Sequence, residues 1–458
     1  MNVPRLVVAA IGSGAGKTTT TCALAGAFRA RGLRVQTFKC GPDYLDPSYL
    51  ARASGAACHN LDGWMMGEQA VRATFARASA GADLALIEGM MGLYDGYAPS
   101  SDVGSTAEIA RWLGAPVALC VDASGLVRTI RPIAHGFVTY DPSVRVAALV
   151  ANRVGGKIHL ELLRGAAPEV PIAGGWPTRA DLAFPERHLG LHVADRMSDD
   201  ALAAWAGLAG EWLDLDALLA IARSAPPLGP TEPNERSFHD PAAGPARCRI
   251  GLAFDEAFHF YYEDNLRRLE SLGAELVRFS PIRDRVLPPV DGLYFGGGYP
   301  ELAAATLAAN HPMREAVRAF PGPIYAECGG LMYLTRGIRT LDGALHAMVG
   351  RLPGEAIMAD RLQALGYAEV ETRAPSLLGP AGARFRGHQF RYSELRLSDS
   401  VERVYSVGRA YGEPLLEGYQ CGNLLASYVH AHFASNPAIA AALVDACRRY
   451  ASRMHSSS

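Results

Sequence analysis

The sequence predicts an α/β protein of two domains, and three features carry that expectation. Short apolar runs alternate with helical stretches in both halves, a Pro-rich segment interrupts the alternation, and a glycine-rich loop joins the first strand to the first helix. In the first half Arg5–Ile11, Leu33–Lys39, Leu84–Glu88, Pro116–Val121 and Val146–Ala151 read as buried strands. Thr18–Arg31 reads as a helix closed by Gly32, a residue suited to a left-handed C-cap. This rhythm implies a mostly parallel sheet covered on both faces over residues 1–223. Ser224–Arg247 holds six prolines and no apolar stripe, so it is expected to be a linker. Beyond it the rhythm restarts, with strands expected at Cys248–Phe254, Glu275–Phe279, Asp291–Phe295 and Pro323–Glu327. Helices are expected near Tyr261–Leu272, Leu302–Ala309 and Met313–Phe320, giving a second α/β domain over 248–450. Residues 451–458 are expected to fray.

Bulk properties narrow the class of function. A chain of 458 residues has room for two or three cores, and 49% hydrophobic with 20% charged residues suits a soluble globular protein. A formal net charge of -2 gives no broad field for nucleic acid or an anionic membrane. No apolar run reaches the roughly 18 residues of a spanning helix. The N-terminus, MNVPRLVVAAIGSG, enters the glycine-rich loop and does not read as a signal peptide. The eight cysteines are scattered without a CxxC pair, as expected of a reduced, cytoplasmic protein without a disulfide framework or cysteine zinc site.

Residues 10–19, AIGSGAGKTT, form a phosphate-loop pattern between a strand and a helix. Gly12, Ser13, Gly14, Ala15 and Gly16 let successive N–H groups point at phosphate oxygens, and the helix N-terminus adds positive potential. Lys17 would reach the β- and γ-phosphates, the Thr18 hydroxyl would bind Mg²⁺, and Thr19 continues the helix. The strict pattern asks for glycine where Ile11 stands, so this is a variant loop, and an ordinary Gly-rich turn is the competing reading. A magnesium nucleotide also needs carboxylates. KCGPDYLDP (Lys39–Pro47), IEGMMGLYDG (Ile87–Gly96) and CVDAS (Cys120–Ser124) supply them at strand ends, where ligands of open α/β sheets collect. Glu88 suits a metal-facing carboxylate. Asp43, Asp46 and Asp95 lie in Gly-rich loops, where shaping a turn is the alternative role. Asn152, after the last strand, could contact an adenine edge or cap the next segment.

In the second half, PIYAECGGLMYL (Pro323–Leu334) runs a strand into Cys328, then two glycines, then a helix. That is the pattern of a nucleophile elbow, although Ala326 stands where the usual signature has glycine. A buried structural cysteine is the alternative. Gly329 offers one oxyanion donor, and the glycines of LYFGGGYPE (Leu293–Glu301), Gly297 among them, offer the other. The base would come from SYVHAHF (Ser427–Phe433).

FGGGYPE, AECGG and the late SYVHAHF resemble a class I, triad-type glutamine amidotransferase with a flavodoxin-like domain. The first half resembles P-loop ATPases related to dethiobiotin synthetase. Together SGAGKTT, KCGPDYLDP, EGMMGLYDG and RGHQFRYS (Arg386–Ser393) are similar to the cobyrinate or hydrogenobyrinate a,c-diamide synthase family, over nearly the whole chain. The resemblance implies that ATP phosphorylates a carboxylate of a corrin-ring precursor while Cys328, with His430 as base, releases ammonia from glutamine. Ammonia would pass internally to the acyl phosphate, and the a- and c-acetates would be amidated. It further implies a homodimer, a corrinoid site at Asp43, Tyr44, Leu45 and Asp95, and Mg²⁺ held by Thr18, Asp46 and Glu88. Where many such amidotransferases read His-Pro-Glu, this chain has His432 in place of the Glu, making it the candidate third member of the triad. Two histidines alone are too few for a zinc site. Gln389 and Arg391 depart from the family's GHEFHYS-like stretch. Ni-sirohydrochlorin a,c-diamide synthase is the neighbouring alternative, and a partition-type nucleotide-switch ATPase with a regulatory glutaminase-like half is the alternative from another class.

Overall fold

In the computed structural model of the chain, residues 2–166, 169–178, 199–229, 247–408 and 413–456 are described. The chain divides into two compact units, Met1–Asn234 and Glu235–Ser458. Most of the predicted linker, residues 230–246, lies outside the described residues.

The N-terminal unit is built on a seven-stranded, wholly parallel sheet. Its strands are β1 (Arg5–Ala10), β2 (Val35–Cys40), β3 (His59–Leu61), β4 (Leu84–Glu88), β5 (Val117–Asp122), β6 (Val146–Val154) and β7 (Ile172–Pro177), in the order β3-β2-β4-β1-β5-β6-β7. β1, β2, β4 and most of β5 are buried along their length, as continuous apolar runs require of a sheet covered on both faces. From β1 the chain fills one side of the sheet with β2, β3 and β4, and from β5 it fills the other side with β5, β6 and β7. That reversal opens a crevice at the carboxyl ends of the strands beside β1. Helix α1 (Lys17–Ala30) packs Leu24 and Phe28 against this sheet together with Trp176 and Trp205. It stops as predicted: Gly32 takes φ +85°, and the Leu33 N–H donates to the Phe28 carbonyl at 3.1 Å. Helix α2 (Asp46–Ser54) follows β2 and begins at the KCGPDYLDP loop.

The C-terminal unit carries a ten-stranded mixed sheet and a separate four-stranded sheet. Five neighbouring strands of the larger sheet are parallel: β8 (Cys248–Ala253), β9 (Ala274–Phe279), β10 (Gly292–Phe295), β11 (Ile324–Glu327) and β20 (Leu424–Ser427). This half corresponds to the flavodoxin-like expectation. Its continuation is antiparallel, through β19 (Leu415–Cys421), β18 (Glu402–Gly408), β15 (Ala364–Thr372), β16 (Arg384–Arg391) and the two-residue β21 (His430–Ala431). The smaller sheet is formed by β12 (Thr335–Arg339), β13 (Leu345–Ala347), β14 (Leu352–Met358) and β17 (Ser393–Leu397). None of these added strands was signalled by a long apolar run. They alternate instead, as in β15, where Ala368, Val370 and Thr372 are buried and Glu369 and Glu371 exposed. Residues 451–456, expected to fray, continue the last helix, Pro437–Ser456.

The start of the predicted linker is also fastened. Arg5 is fully buried, and its guanidinium donates to the carbonyls of Leu113 (2.5 Å), Val3 (3.1 Å) and Pro226 (2.5 Å). Replacing it removes three hydrogen bonds and strands the buried acceptors of Leu113 and Val3, and charged hydrogen bonds of this kind are worth about 1.5–3 kcal/mol each. Arg5→Met is therefore expected to lower the stability of the N-terminal unit by at least about 3 kcal/mol in urea unfolding. An unchanged midpoint would contradict this role.

Candidate active sites

The loop between β1 and α1 is formed by backbone that only glycine adopts readily. Gly14 and Gly16 have φ of +76° and +94°, and Gly16 caps α1. A Cβ on Gly16 would lie 2.5 Å from Asn152 Nδ2. Asn152 itself donates from Nδ2 to the Ala15 carbonyl at 3.1 Å, and its Oδ1 accepts from the Arg153 N–H at 2.9 Å. The structure thus places Asn152 against the loop as a brace. Arg153, at φ +56°, adds a bond to the Gly14 carbonyl and pairs with Asp122. Lys17 Nζ reaches back to the carbonyls of Met91 (2.5 Å) and Gly12 (3.2 Å). Ser13 and Gly14 are exposed at the loop tip, and Thr19 is half-buried on α1.

Behind the loop lies a dry charge cluster. The Thr18 hydroxyl donates to Glu88 Oε1 at 2.6 Å. Lys39, at the end of β2, sends its ammonium to the same oxygen at 2.9 Å and to Asp46 Oδ2 at 2.8 Å. Burial opposes the Lys39 charge, but Asp46 and Glu88 outweigh it and hold its pKa well above the ordinary value. Two carboxylates face this ammonium, and the Lys17 ammonium lies within electrostatic reach of both. Burial, with Asp46 beside it, pushes Glu88 up to about 7 against the pull of Lys39. Lys17 is drawn down by burial and by Lys39. Glu88 Oε2 is buried and has no hydrogen-bond partner among the described residues. The remaining predicted acids shape their own loops. Asp43 Oδ1 accepts from the N–H groups of Leu45 (2.8 Å) and Asp46 (3.0 Å), and Asp95 Oδ2 from Gly92 at 2.7 Å. Tyr44 and Leu45 are half-buried between Asp43 and α2. Lys39 was not anticipated as a site residue. Its signal was a lysine ending an otherwise apolar strand just before an acidic loop.

In the C-terminal unit, Cys328 has φ +47° and ψ −104° between β11 and the helix Gly329–Leu334. Its N–H donates to the Ser427 carbonyl of the neighbouring β20 at 2.7 Å, which holds the strained turn in place. Its Sγ faces the Phe390 carbonyl at 3.7 Å, and the Gly329 N–H is directed at the sulfur. Burial and the Glu301 carboxylate push the thiol up to about 12, against the pull of Gly329 and Arg391. Gly297 lies under the His430 ring: a Cβ there would sit 2.3 Å from Cε1. The Gly297 carbonyl is turned away, accepting from His259 and Phe260 at 3.0 Å each. Burial, with neighbouring His388, depresses His430 to about 3, so the imidazole is neutral and able to accept a proton.

His432 does not occupy the place predicted for it. β21 ends at Ala431 and the chain turns into the one-turn helix Phe433–Ser435, which His432 caps through Nδ1, accepting from Ala434 at 3.3 Å. Its ring lies 4.7 Å from that of Tyr262. The carboxylate beside His430 is Glu327, with Oε2 4.0 Å from Nδ1. Gln389 and Arg391 lie on β16 beside the Phe390 carbonyl that faces the thiol. Gln389 Nε2 is buried without a partner among the described residues, and the Arg391 guanidinium stacks 4.5 Å over Tyr428.

Residues 6–189 match a family profile described as a CobQ/CobB/MinD/ParA nucleotide binding domain, and residues 249–438 one described as a CobB/CobQ-like glutamine amidotransferase domain. Three curated relatives carry the name cobyrinate a,c-diamide synthase. That of Leptospira interrogans is 47% identical over 98% of this chain and 99% of its own. Those of Syntrophotalea carbinolica and Salmonella typhimurium are 49% and 41% identical, over 98% and 97% of this chain and 99% and 98% of theirs. The chain belongs to the cobyrinate a,c-diamide synthase family. Membership joins the phosphate loop and the cysteine elbow in one ATP-using, glutamine-hydrolysing ligase and removes the partition-type switch reading. Among the described residues no helix is long and apolar enough to cross a membrane.

A thiol held near 12 in the free enzyme is almost wholly protonated at neutral pH. The rate of Cys328 alkylation by iodoacetamide is therefore expected to rise about tenfold per pH unit from 7 to 10 without levelling. A plateau below pH 8 would show a thiolate already paired with an imidazolium.

Proposed function

We propose that the chain carries out ATP- and glutamine-dependent amidation of the a- and c-acetate carboxylates of a corrin-ring precursor of the cobyrinate type, in cobalamin biosynthesis. The observation that carries this reading is the presence, in one chain, of a phosphate loop backed by the Thr18–Glu88–Lys39–Asp46 cluster and of Cys328 at a strained elbow. The full-length likeness to synthases of that name supplies the substrate.

In the first reaction a substrate carboxylate oxygen attacks the γ-phosphorus of ATP, and ADP leaves. The acyl phosphate so formed has the leaving group that a carboxylate lacks. Gly12–Thr19 would wrap the phosphates, and Lys17 would exchange its two backbone carbonyls for phosphate oxygens. The Thr18 hydroxyl and the Glu88 oxygen that has no hydrogen-bond partner among the described residues are hard oxygen ligands that fit a divalent cation. Mg²⁺ bound there would neutralise phosphate charge. Asp46, engaged with Lys39, would support that site from behind. Asp43, Tyr44, Leu45 and Asp95 lie on the loops at the same strand ends and are assigned to the corrinoid side.

In the second reaction Cys328 attacks the glutamine side-chain carbonyl carbon, while His430 takes the thiol proton and returns it to the departing ammonia. Gly329 and the Gly297 loop would hold the oxyanion. Water then cleaves the thioester to glutamate, restoring the thiol. Ammonia attacks the acyl phosphate carbonyl, inorganic phosphate leaves, and the amide remains. The cycle runs once for each acetate. We place this chemistry in the cytoplasm, where ATP and glutamine are plentiful, and assign the enzyme the homodimeric state that the resemblance implies.

Incubation with MgATP, glutamine and cobyrinate is expected to give a product with two carboxylates amidated. Glutamine hydrolysis without amidation of any tetrapyrrole would overturn the substrate class. Cys328→Ala is expected to lose glutamine-dependent amidation and keep it with ammonium salts. Loss of both would contradict two separate reactions.

A further inference from the structure

We propose that Glu327, the residue directly before the nucleophile, is the positioning residue for His430. It would supply, from the nucleophile's own strand, the carboxylate that a His-Pro-Glu stretch carries two residues after the histidine. This inference rests on the glutaminase reading of Cys328 and His430.

Three donors fix the Glu327 carboxylate. Oε1 accepts from the Tyr325 hydroxyl at 2.8 Å and the Ala431 N–H at 2.9 Å, and Oε2 accepts from the Tyr294 hydroxyl at 2.8 Å. The Ala431 bond matters most, because Ala431 follows His430 directly. A single carboxylate therefore pins the backbone that carries the base and sets an oxygen 4.0 Å from the base's Nδ1. Both side chains are almost wholly buried, at 3% and 2% exposure. The rest of the ring lies over Gly297, with Nε2 3.1 Å from where that residue's Cβ would be. Nδ1 lies 3.3 Å from the same position, so the ring edge packs along the loop expected to hold the oxyanion while Nδ1 also stands 4.0 Å from the carboxylate.

The electrostatics follow the same arrangement. When His430 takes the thiol proton it becomes an imidazolium in a site without water-like screening, and a carboxylate at ion-pair distance offsets that charge. The tyrosine hydroxyls favour the ionised carboxylate against the burial that pushes it up to about 7. The other ionisable groups facing the pair are Tyr405, Tyr261 and His388. His388, the strand partner of His430, is itself neutral, depressed by burial to about 4, and offers no countercharge. His432 belongs to the neighbouring turn and to the surroundings of Tyr262.

Two measurements on the full-length protein test the assignment. Nitrogen-15 histidine spectra, with His430 assigned by its loss in His430→Gln, are expected to show a neutral ring protonated at Nδ1. A ring protonated at Nε2 would overturn the proposal even if every Glu327 variant fails to fold. In a folded Glu327→Gln variant, kcat for glutamine hydrolysis is expected to fall about 100-fold with KM little changed, while ammonia-dependent amidation persists. His432→Gln should keep glutamine hydrolysis within about threefold of the parent. Glutamine hydrolysis within about threefold of the parent in Glu327→Gln would refute the role, and so would loss of the ammonia-dependent reaction. The amidation arm is read only relative to the parent, so failure of the parent to amidate a corrinoid would strike the substrate reading, while the ring tautomer and the rate of glutamine hydrolysis would still decide this one.

Discussion

Lys39 ends β2 with its ammonium between Asp46 and Glu88, and the carboxyl edge of the first sheet is arranged around that contact. Asp46 is the first residue of α2, so the ammonium ties the start of that helix to the end of β4. Glu88 in turn accepts from Thr18 and so ties β4 to the first turn of α1. Breaking a buried pair of this kind by removing one partner typically costs about 3–5 kcal/mol, because the other charge is left without compensation. The same contact prepares the chemistry. It leaves one Glu88 oxygen without a hydrogen-bond partner among the described residues, beside Lys17, whose hydrogen bonds among those residues go to two carbonyls. A nucleotide phosphate can therefore take the place of those carbonyls.

The C-terminal unit solves a different problem, which is to present a thiol on backbone that resists the conformation. Among the described residues, three that are not glycine have positive φ: Met91, Arg153 and Cys328. Each lies at a site. Met91 gives its carbonyl to Lys17, Arg153 braces the phosphate loop, and Cys328 forms the strand-to-helix elbow. Such strain persists only where neighbours fix it, and for Cys328 the neighbour is β20 through the Ser427 carbonyl. Three residues further along that chain stands His430, so the segment that fastens the Cys328 turn leads directly into the short strand carrying this histidine.

Much of this was readable from residue order. Most of the parallel strands, the phosphate loop and the elbow were read from apolar runs and the glycines beside them, whereas β3, β7 and β20 were not read. Strand limits moved by a residue or two, as for Leu33–Lys39, which forms Val35–Cys40. The antiparallel extension was not read, because strands such as Ala364–Thr372 carry charges on alternate residues and form no apolar run. The expectation that His432 shares a strand face with His430 rested on a strand that continues past both. Spacing by two puts residues on one face only while a strand continues, and β21 stops at Ala431. Glu327 stood in view within AECGG, but only the pairing of β11 with β20 and the turn to β21 brings it to His430.

The central claim is that the buried cluster serves phosphoryl transfer to a carboxylate. The most direct measurement uses a corrinoid substrate whose acetate carboxylates carry oxygen-18, with mass analysis of the phosphate released during amidation. The account predicts one labelled oxygen in inorganic phosphate for each amide formed, with ADP as the other product. Unlabelled phosphate, or label recovered in AMP, would contradict it.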